Sequence, residues 1–81
     1  MNDDRIKTLI YAILGTLAET HPRPAIESHL YIACGMDIEA WNNVRNVIVN
    51  AGWATVKGYQ VRLTESGVEI GNRINEAFAT V

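Results

Sequence analysis

The chain contains one cysteine, two prolines and no apolar run long enough to cross a membrane. One cysteine cannot form an intramolecular disulfide, so no disulfide framework holds the fold together. The most apolar stretch, residues 9–18, is interrupted by Gly15 and Thr16 and is far shorter than the ~20 residues of a membrane span. With 7 basic and 9 acidic residues, the chain is not a polybasic protein that grips nucleic acid by bulk charge.

What is present is ordinary globular composition over a short length. The 81 residues are 48% hydrophobic and 20% charged, which argues against disorder and predicts one domain, residues 1–81. The first four residues, Met1-Asn2-Asp3-Asp4, are acidic where a secretory signal is basic. We therefore expect a soluble, cytoplasmic protein with no membrane partner.

Apolar spacing predicts four helices, separated by a short extended segment, a tight turn and a β-hairpin. The helices are predicted over residues 3–19, 24–34, 38–51 and 65–79. The strongest apolar stripes belong to the first and third helices, which should therefore share the core. The core is expected to contain Leu9, Trp41, Val44 and Ile48.

Residues with known preferences for helix ends mark the boundaries. Pro24 suits the first position of the second helix, and Gly35 suits its stop. Asp37 is a good N-cap for the third helix, which Gly52 is expected to end. Thr64 is predicted to cap the fourth helix.

Residues 53–63 are typical of a β-hairpin. We predict its two-residue turn at Lys57-Gly58, where glycine supplies a positive φ. Pairing across that turn collects apolar side chains on one face of the hairpin. The apolar side chains on this face are Ala54, Val56, Tyr59 and Val61.

The order of elements resembles the winged helix-turn-helix family. The stretches that carry the resemblance are residues 33–37 at the turn, 50–53 before the hairpin and 59–67 after it. The last includes Leu-Thr-Glu-Ser-Gly, which is similar to the LTxxG step of bacterial regulators of the MarR and PadR type. The resemblance implies a mainly α fold with a small β-hairpin (α+β). It also implies a third helix in the DNA major groove and a hairpin that touches the DNA backbone or the minor groove.

Two features depart from the family pattern. The predicted hairpin is shorter than the basic wings of members that grip DNA strongly. The chain also has no room for the extra helices with which MarR and PadR proteins dimerise or bind ligands, so no effector site carries over.

No combination of residues in the sequence favours catalysis. His29 and Cys34 lie on one predicted helix and point about 140° apart, so they cannot form a nucleophilic pair. We expect His29 to be partly buried beside the apolar stripe. Metal-ligand spacings such as CxxC and a phosphate-binding glycine loop are absent. The sequence therefore predicts no enzyme, no cofactor and no metal.

The outer face of the third helix is rich in asparagine, with an arginine at its flank. Asparagine can pair with adenine through two hydrogen bonds, and arginine can do so with guanine. Residues 38–63 sum to a charge of +2, because three cations stand against Glu39, whereas the rest of the chain sums to −4. We therefore predict binding of double-stranded DNA by helix 38–51 and hairpin 53–63. The predicted contact residues are Asn42, Asn43, Arg45, Asn46, Lys57 and Arg62.

The alternative is a winged-helix module that docks a protein and binds no DNA. It is supported by the acidic total, the short hairpin and apolar residues expected to point outward: Tyr11, Tyr31, Ile38 and Val49. We also expect a homodimer through the first and last helices, because these carry apolar side chains that a small monomer leaves uncovered: Tyr11, Phe78 and Val81.

Overall fold

The computed structural model describes residues 3–79, which form four helices and a three-stranded antiparallel sheet. The helices are α1 (Asp3–Thr20), α2 (Glu27–Ala33), α3 (Ile38–Asn50) and α4 (Glu65–Ala79). The strands are β1 (Ala25–Ile26), β2 (Ala54–Lys57) and β3 (Gln60–Leu63), in the spatial order β1-β3-β2. The predicted mainly α class with a small β part (α+β) is confirmed, and the predicted hairpin belongs to a sheet of three strands.

Two predicted N-caps are confirmed by their hydrogen bonds. The Oδ1 atom of Asp37 accepts from the backbone N–H of Ala40 at 2.8 Å, which satisfies an open donor of α3. The Oγ1 atom of Thr64 accepts from the backbone N–H of Gly67 at 3.1 Å. The same hydroxyl donates to the Gly52 carbonyl at 2.6 Å, so Thr64 also ties the start of α4 to the end of α3.

The two helix stops also match the prediction. Gly35 and Gly52 follow α2 and α3 with φ angles of 75° and 78°, a conformation that glycine adopts without a Cβ penalty. After Gly52, the backbone N–H of Trp53 donates to the Ile48 carbonyl at 2.9 Å, which completes a Schellman motif. The chain therefore turns from α3 directly into the hairpin.

The predicted start of the second helix at Pro24 is wrong. Residues 25–26 form β1, which runs antiparallel to β3, and α2 begins only at Glu27. The Glu27 backbone N–H continues this pairing by donating to the Tyr59 carbonyl at 2.7 Å. The extended backbone is favoured because β3 supplies hydrogen-bond partners from a distant part of the chain.

The hairpin is confirmed, but its predicted register is wrong: each β2 residue pairs with a β3 residue two positions later than predicted, and the turn lies one residue later. Val56 lies opposite Val61 and Ala54 lies opposite Leu63, so the turn is Gly58-Tyr59. Gly58 has a φ of 63°, as in a type II′ turn, which takes glycine at its first central position. The shift brings Leu63 into the core and leaves Tyr59 79% exposed.

The core lies between α1, α3 and the inner face of the sheet. Its largest fully buried side chains are Trp41, Ile13, Leu14, Ile48, Val44 and Val61. The predicted burial of Trp41, Val44 and Ile48 is confirmed. Leu9 is only half-buried and packs at the edge of this core, because Ile10, Ile13 and Leu14 form the inward side of α1.

Helices α1 and α4 approach each other closely at two glycines. A Cβ atom at Gly71 would lie 2.7 Å from the Leu14 carbonyl oxygen and from the Cβ of Ala18. The Nδ2 atom of Asn75 donates to the Gly15 carbonyl at 3.0 Å across the same contact. This tight packing, with Ile74 of α4 lying over Gly15, holds α4 against α1.

Candidate nucleic-acid interface

The outer face of α3 is polar and open to solvent. Trp41, Val44 and Ile48 occupy the opposite face and have no exposed surface, so the orientation of the helix is set by the core. The outward residues include Asn42, Asn43, Asn46 and Asn50, together with Glu39 and Val49, all exposed. Three of the six predicted contact residues, Asn42, Asn43 and Asn46, therefore lie together on one helix face.

These asparagine amides keep their hydrogen-bonding capacity for a partner. Within residues 3–79, none of the four donates or accepts a side-chain hydrogen bond to another protein group. Each amide offers a carbonyl acceptor and two N–H donors. An adenine edge in the major groove presents the matching acceptor and donor.

Arg45 lies at the inner flank of this face and has an acidic neighbour. Its Nε atom is 3.6 Å from Oε1 of Glu27, too far for a hydrogen bond but close enough for an ion pair. The Nε atom is buried and has no hydrogen-bond partner. The Arg45 side chain as a whole is 42% exposed, so its accessible surface lies outside the Nε position.

Glu27 is a charged neighbour of this face that the sequence does not reveal. Its Oε1 atom accepts a 2.6 Å hydrogen bond from Nε1 of Trp41, and its side chain is only 19% exposed. No local pattern signals this contact, because Glu27 lies in α2, outside the stretch 38–63 whose charge was counted. With Glu27 included, three cations stand against two carboxylates, so the surface is less positive than the sequence count indicates.

Tyr31 was expected to point outward and instead lies half-buried against the same tryptophan. Its ring stacks on that of Trp41 with the centroids 6.0 Å apart and an angle of 18° between the planes. Trp41 is therefore held by Tyr31 on its face and by Glu27 at its Nε1 atom. These two contacts join α2 to α3 beneath the outer face.

The two hairpin cations are exposed but lie in different places. Lys57 ends β2 and lines the same groove as Ile38, the first residue of α3. Arg62 is on the solvent side of β3, the middle strand, and its Nη1 atom donates to the Pro22 carbonyl at 3.4 Å. Lys57 thus faces a groove that it shares with the start of α3, whereas Arg62 is directed toward the turn after α1.

An apolar groove borders the candidate interface. It has a volume of about 750 Å³ and lies between the starts of α2 and α3 and the hairpin turn. Its lining includes Ile26, Ile38 and Tyr59, which are 46%, 57% and 79% exposed, together with Tyr31 and Lys57. Tyr59 was predicted to lie with the apolar side chains on one face of the hairpin, and the shifted turn places it in this groove instead.

The remaining polar residues do not assemble a reactive centre in the described part of the chain. His29 is exposed, so its predicted partial burial is wrong: α2 turns Leu30 inward instead. Cys34 is half-buried, with its Sγ 4.0 Å from Oγ1 of Thr16. Among residues 3–79, no three potential metal ligands lie together, and no helix is both long and apolar enough to cross a membrane.

Comparison with protein-family models, with curated proteins and with solved structures found no match to this chain. The candidate interface combines an asparagine-rich helix face, a flanking arginine tied to a carboxylate, and a lysine at the hairpin.

Proposed function

We propose that this chain is a small winged-helix protein that binds double-stranded DNA, as a cytoplasmic transcriptional regulator or accessory factor. In this proposal α3 lies in the major groove and reads bases, while the hairpin contacts phosphates. The base-reading residues are Asn42, Asn43, Arg45 and Asn46, and the phosphate-contacting residues are Lys57 and Arg62.

The topology supports the winged-helix part of the proposal. Two helices, α2 and α3, are joined by the short segment 34–37, as in a helix-turn-helix. The strands after α3 form a hairpin, and β1 adds a third strand at the β3 edge. The hairpin follows α3 directly, and Lys57 beside its turn lines one groove with Ile38, the first residue of α3.

The observation that carries the DNA part is the exposed amide face of α3. Asparagine is a poor helix former, and a solvated face is built more stably from residues such as glutamate, lysine or alanine. Four asparagines on the outside of one helix therefore favour a polar partner that uses their amides. The edges of base pairs are such a partner.

The modest positive charge limits the affinity of one copy. Each protomer has three cations at the proposed interface. A plot of log affinity against log salt concentration therefore has a slope no steeper than about −3, and binding by a monomer is weak.

A homodimer doubles these contacts, and we propose that it forms through α1 and α4. Tyr11 and Phe78 support this, being 45% and 67% exposed beside a groove between these helices; Val81 lies outside the described residues. Sedimentation that gives only a 9 kDa species at high micromolar concentration would contradict the dimer.

Titration of random duplex DNA tests the central proposal. We expect binding at low salt, where attraction to phosphates is strongest, and a loss of affinity as salt rises that follows a slope no steeper than about −3 per protomer. A protein in which α3 residues Asn42, Asn43 and Asn46 are all changed to alanine provides the comparison, since it keeps every cation. It should retain random-duplex binding and lose sequence preference. Absence of any duplex affinity in the unchanged protein would exclude DNA binding.

The second candidate is a protein-docking module, which the apolar groove favours. Ile26, Ile38 and Tyr59 expose apolar surface at one place, and such patches mark interaction sites. The substitution Tyr59→Ser separates this role from DNA binding. If the groove docks a protein, the change should abolish that docking. If α3 and the hairpin cations bind DNA, the change should leave the salt slope of duplex binding unaltered.

A further inference from the structure

We infer that Glu27 sets the sequence discrimination of the proposed DNA interface by positioning Arg45, an inference that rests on the proposed function. Glu27 lies on α2, below the reading helix, and reaches Arg45 of α3 at 3.6 Å. It is a positioning residue, because it acts through the guanidinium group and touches no base itself.

The position of the Glu27 carboxylate is fixed by the core. Its Oε1 atom accepts from Nε1 of Trp41 at 2.6 Å, and Trp41 has no exposed surface. A side chain anchored in this way cannot follow Arg45 if the guanidinium moves toward solvent. The carboxylate is therefore a stationary negative charge beside the arginine.

This stationary charge restricts which edge of Arg45 faces a ligand. The Nε atom is buried against Glu27, so the guanidinium presents only its two Nη groups to solvent. Those two groups are enough for a bidentate contact with O6 and N7 of guanine. The guanine contact can thus form with the Glu27 pair still in place.

Contact with an arbitrary phosphate is penalised by the same geometry. A phosphate that approaches Arg45 from the α2 side meets the Glu27 carboxylate, and like charges repel. Drawing Arg45 away from Glu27 would leave a carboxylate that is 19% exposed without its cation. Glu27 therefore weakens non-specific binding more than binding at a guanine, which is how a repulsive element creates specificity.

The substitution Glu27→Gln tests this inference, with Glu39→Gln as the matched control. Glutamine keeps an oxygen for Trp41 Nε1 but removes the charge from Arg45. Glu39 is an exposed carboxylate of α3, so its change removes the same charge near the interface without touching the ion pair. Affinity is measured for random duplex and for a duplex selected from a random pool with the unchanged protein. The readout is the ratio of the two affinities.

We expect Glu27→Gln to lower this ratio by at least about fivefold, which is the lower end of what one bidentate base contact contributes. Glu39→Gln should strengthen binding to both duplexes alike and leave the ratio unchanged. In an Arg45→Gln background, Glu27→Gln should no longer alter the ratio. Arg45→Lys keeps the positive charge but has no Nε–H, and it should lower the ratio in the same way. This variant replaces Glu27→Gln in the experiment if Glu27→Gln does not fold.

The possible failures are distinguishable. Equal effects of the two glutamine changes, or an unchanged effect in the Arg45→Gln background, would overturn the role of Glu27 and leave DNA binding intact. An unchanged protein that binds all duplexes equally would overturn it as well, since there would be no discrimination to set. Absence of binding to any duplex would overturn the proposed function, and the inference would fall with it.

Discussion

The two faces of α3 carry neighbouring residues with opposite surroundings. Trp41, Val44 and Ile48 are fully buried and hold the helix to the core. Asn42, Asn43 and Asn46 stand between them in the sequence and are exposed on the other side. The buried side chains of α3 thus stabilise the fold, whereas its exposed side chains are available to a binding partner. Changes on the inner face should alter unfolding, and changes on the outer face should alter binding.

The largest expected effect is on the inner face. Trp41→Ala should lower the free energy of unfolding by about 3–5 kcal/mol, because it leaves a cavity in a packed core and removes the donor to Glu27. Chemical denaturation measures this change. The neighbouring Asn42→Ala is the control and should stay within about 0.5 kcal/mol. Similar losses for the two variants would contradict the separation of the faces.

The crossing of α1 and α4 also belongs to the packed interior, so a substitution there should lower the free energy of unfolding nearly as much. Gly71→Val should cost about 1–3 kcal/mol, because a side chain there meets the Leu14 carbonyl and Ala18. The exposed Asn72→Val, one residue along α4, introduces the same side chain without a neighbour to displace. If both variants have the same denaturation midpoint, the close approach of α1 and α4 is wrong.

On the outer face, Asn46→Ala should change recognition without changing the fold. We expect a loss of about 1–3 kcal/mol in discrimination at one base pair, the amount attributed to a bidentate contact. Affinities for single-base variants of a selected duplex measure it, and Asn72→Ala on α4 serves as the control. A uniform loss across all sequences would instead assign Asn46 to backbone contact.

The smallest expected effect concerns Lys57. Lys57→Gln should weaken binding to every duplex alike and reduce the salt slope by about one, because one phosphate contact is lost. Lys7→Gln removes the same charge from the exposed side of α1, away from the hairpin. If the two variants lower the salt slope equally, Lys57 makes no specific contact with a phosphate.

Features that depend on a few adjacent residues could be predicted from the sequence. Asp37 and Thr64 cap their helices, and Gly35 and Gly52 end theirs, because each makes bonds within one or two turns of its own position. The outward side of α3 was predictable for a similar reason. The helical repeat places Asn42, Asn43 and Asn46 opposite the apolar stripe wherever the helix packs.

Only the tertiary structure decided the features that join distant parts of the chain. β1 exists because β3, more than thirty residues later, offers it hydrogen-bond partners. The hairpin register pairs Leu63 with Ala54 in the core and leaves Tyr59 in the exposed turn, and the turn residues alone do not specify this pairing. The pairing of Glu27 with Trp41 and Arg45 likewise has no local signal, because packing of α2 against α3 creates it. Sequence periodicity determines which side of a helix faces inward. The residues that this side contacts are determined by the packing of elements that lie far apart in the sequence.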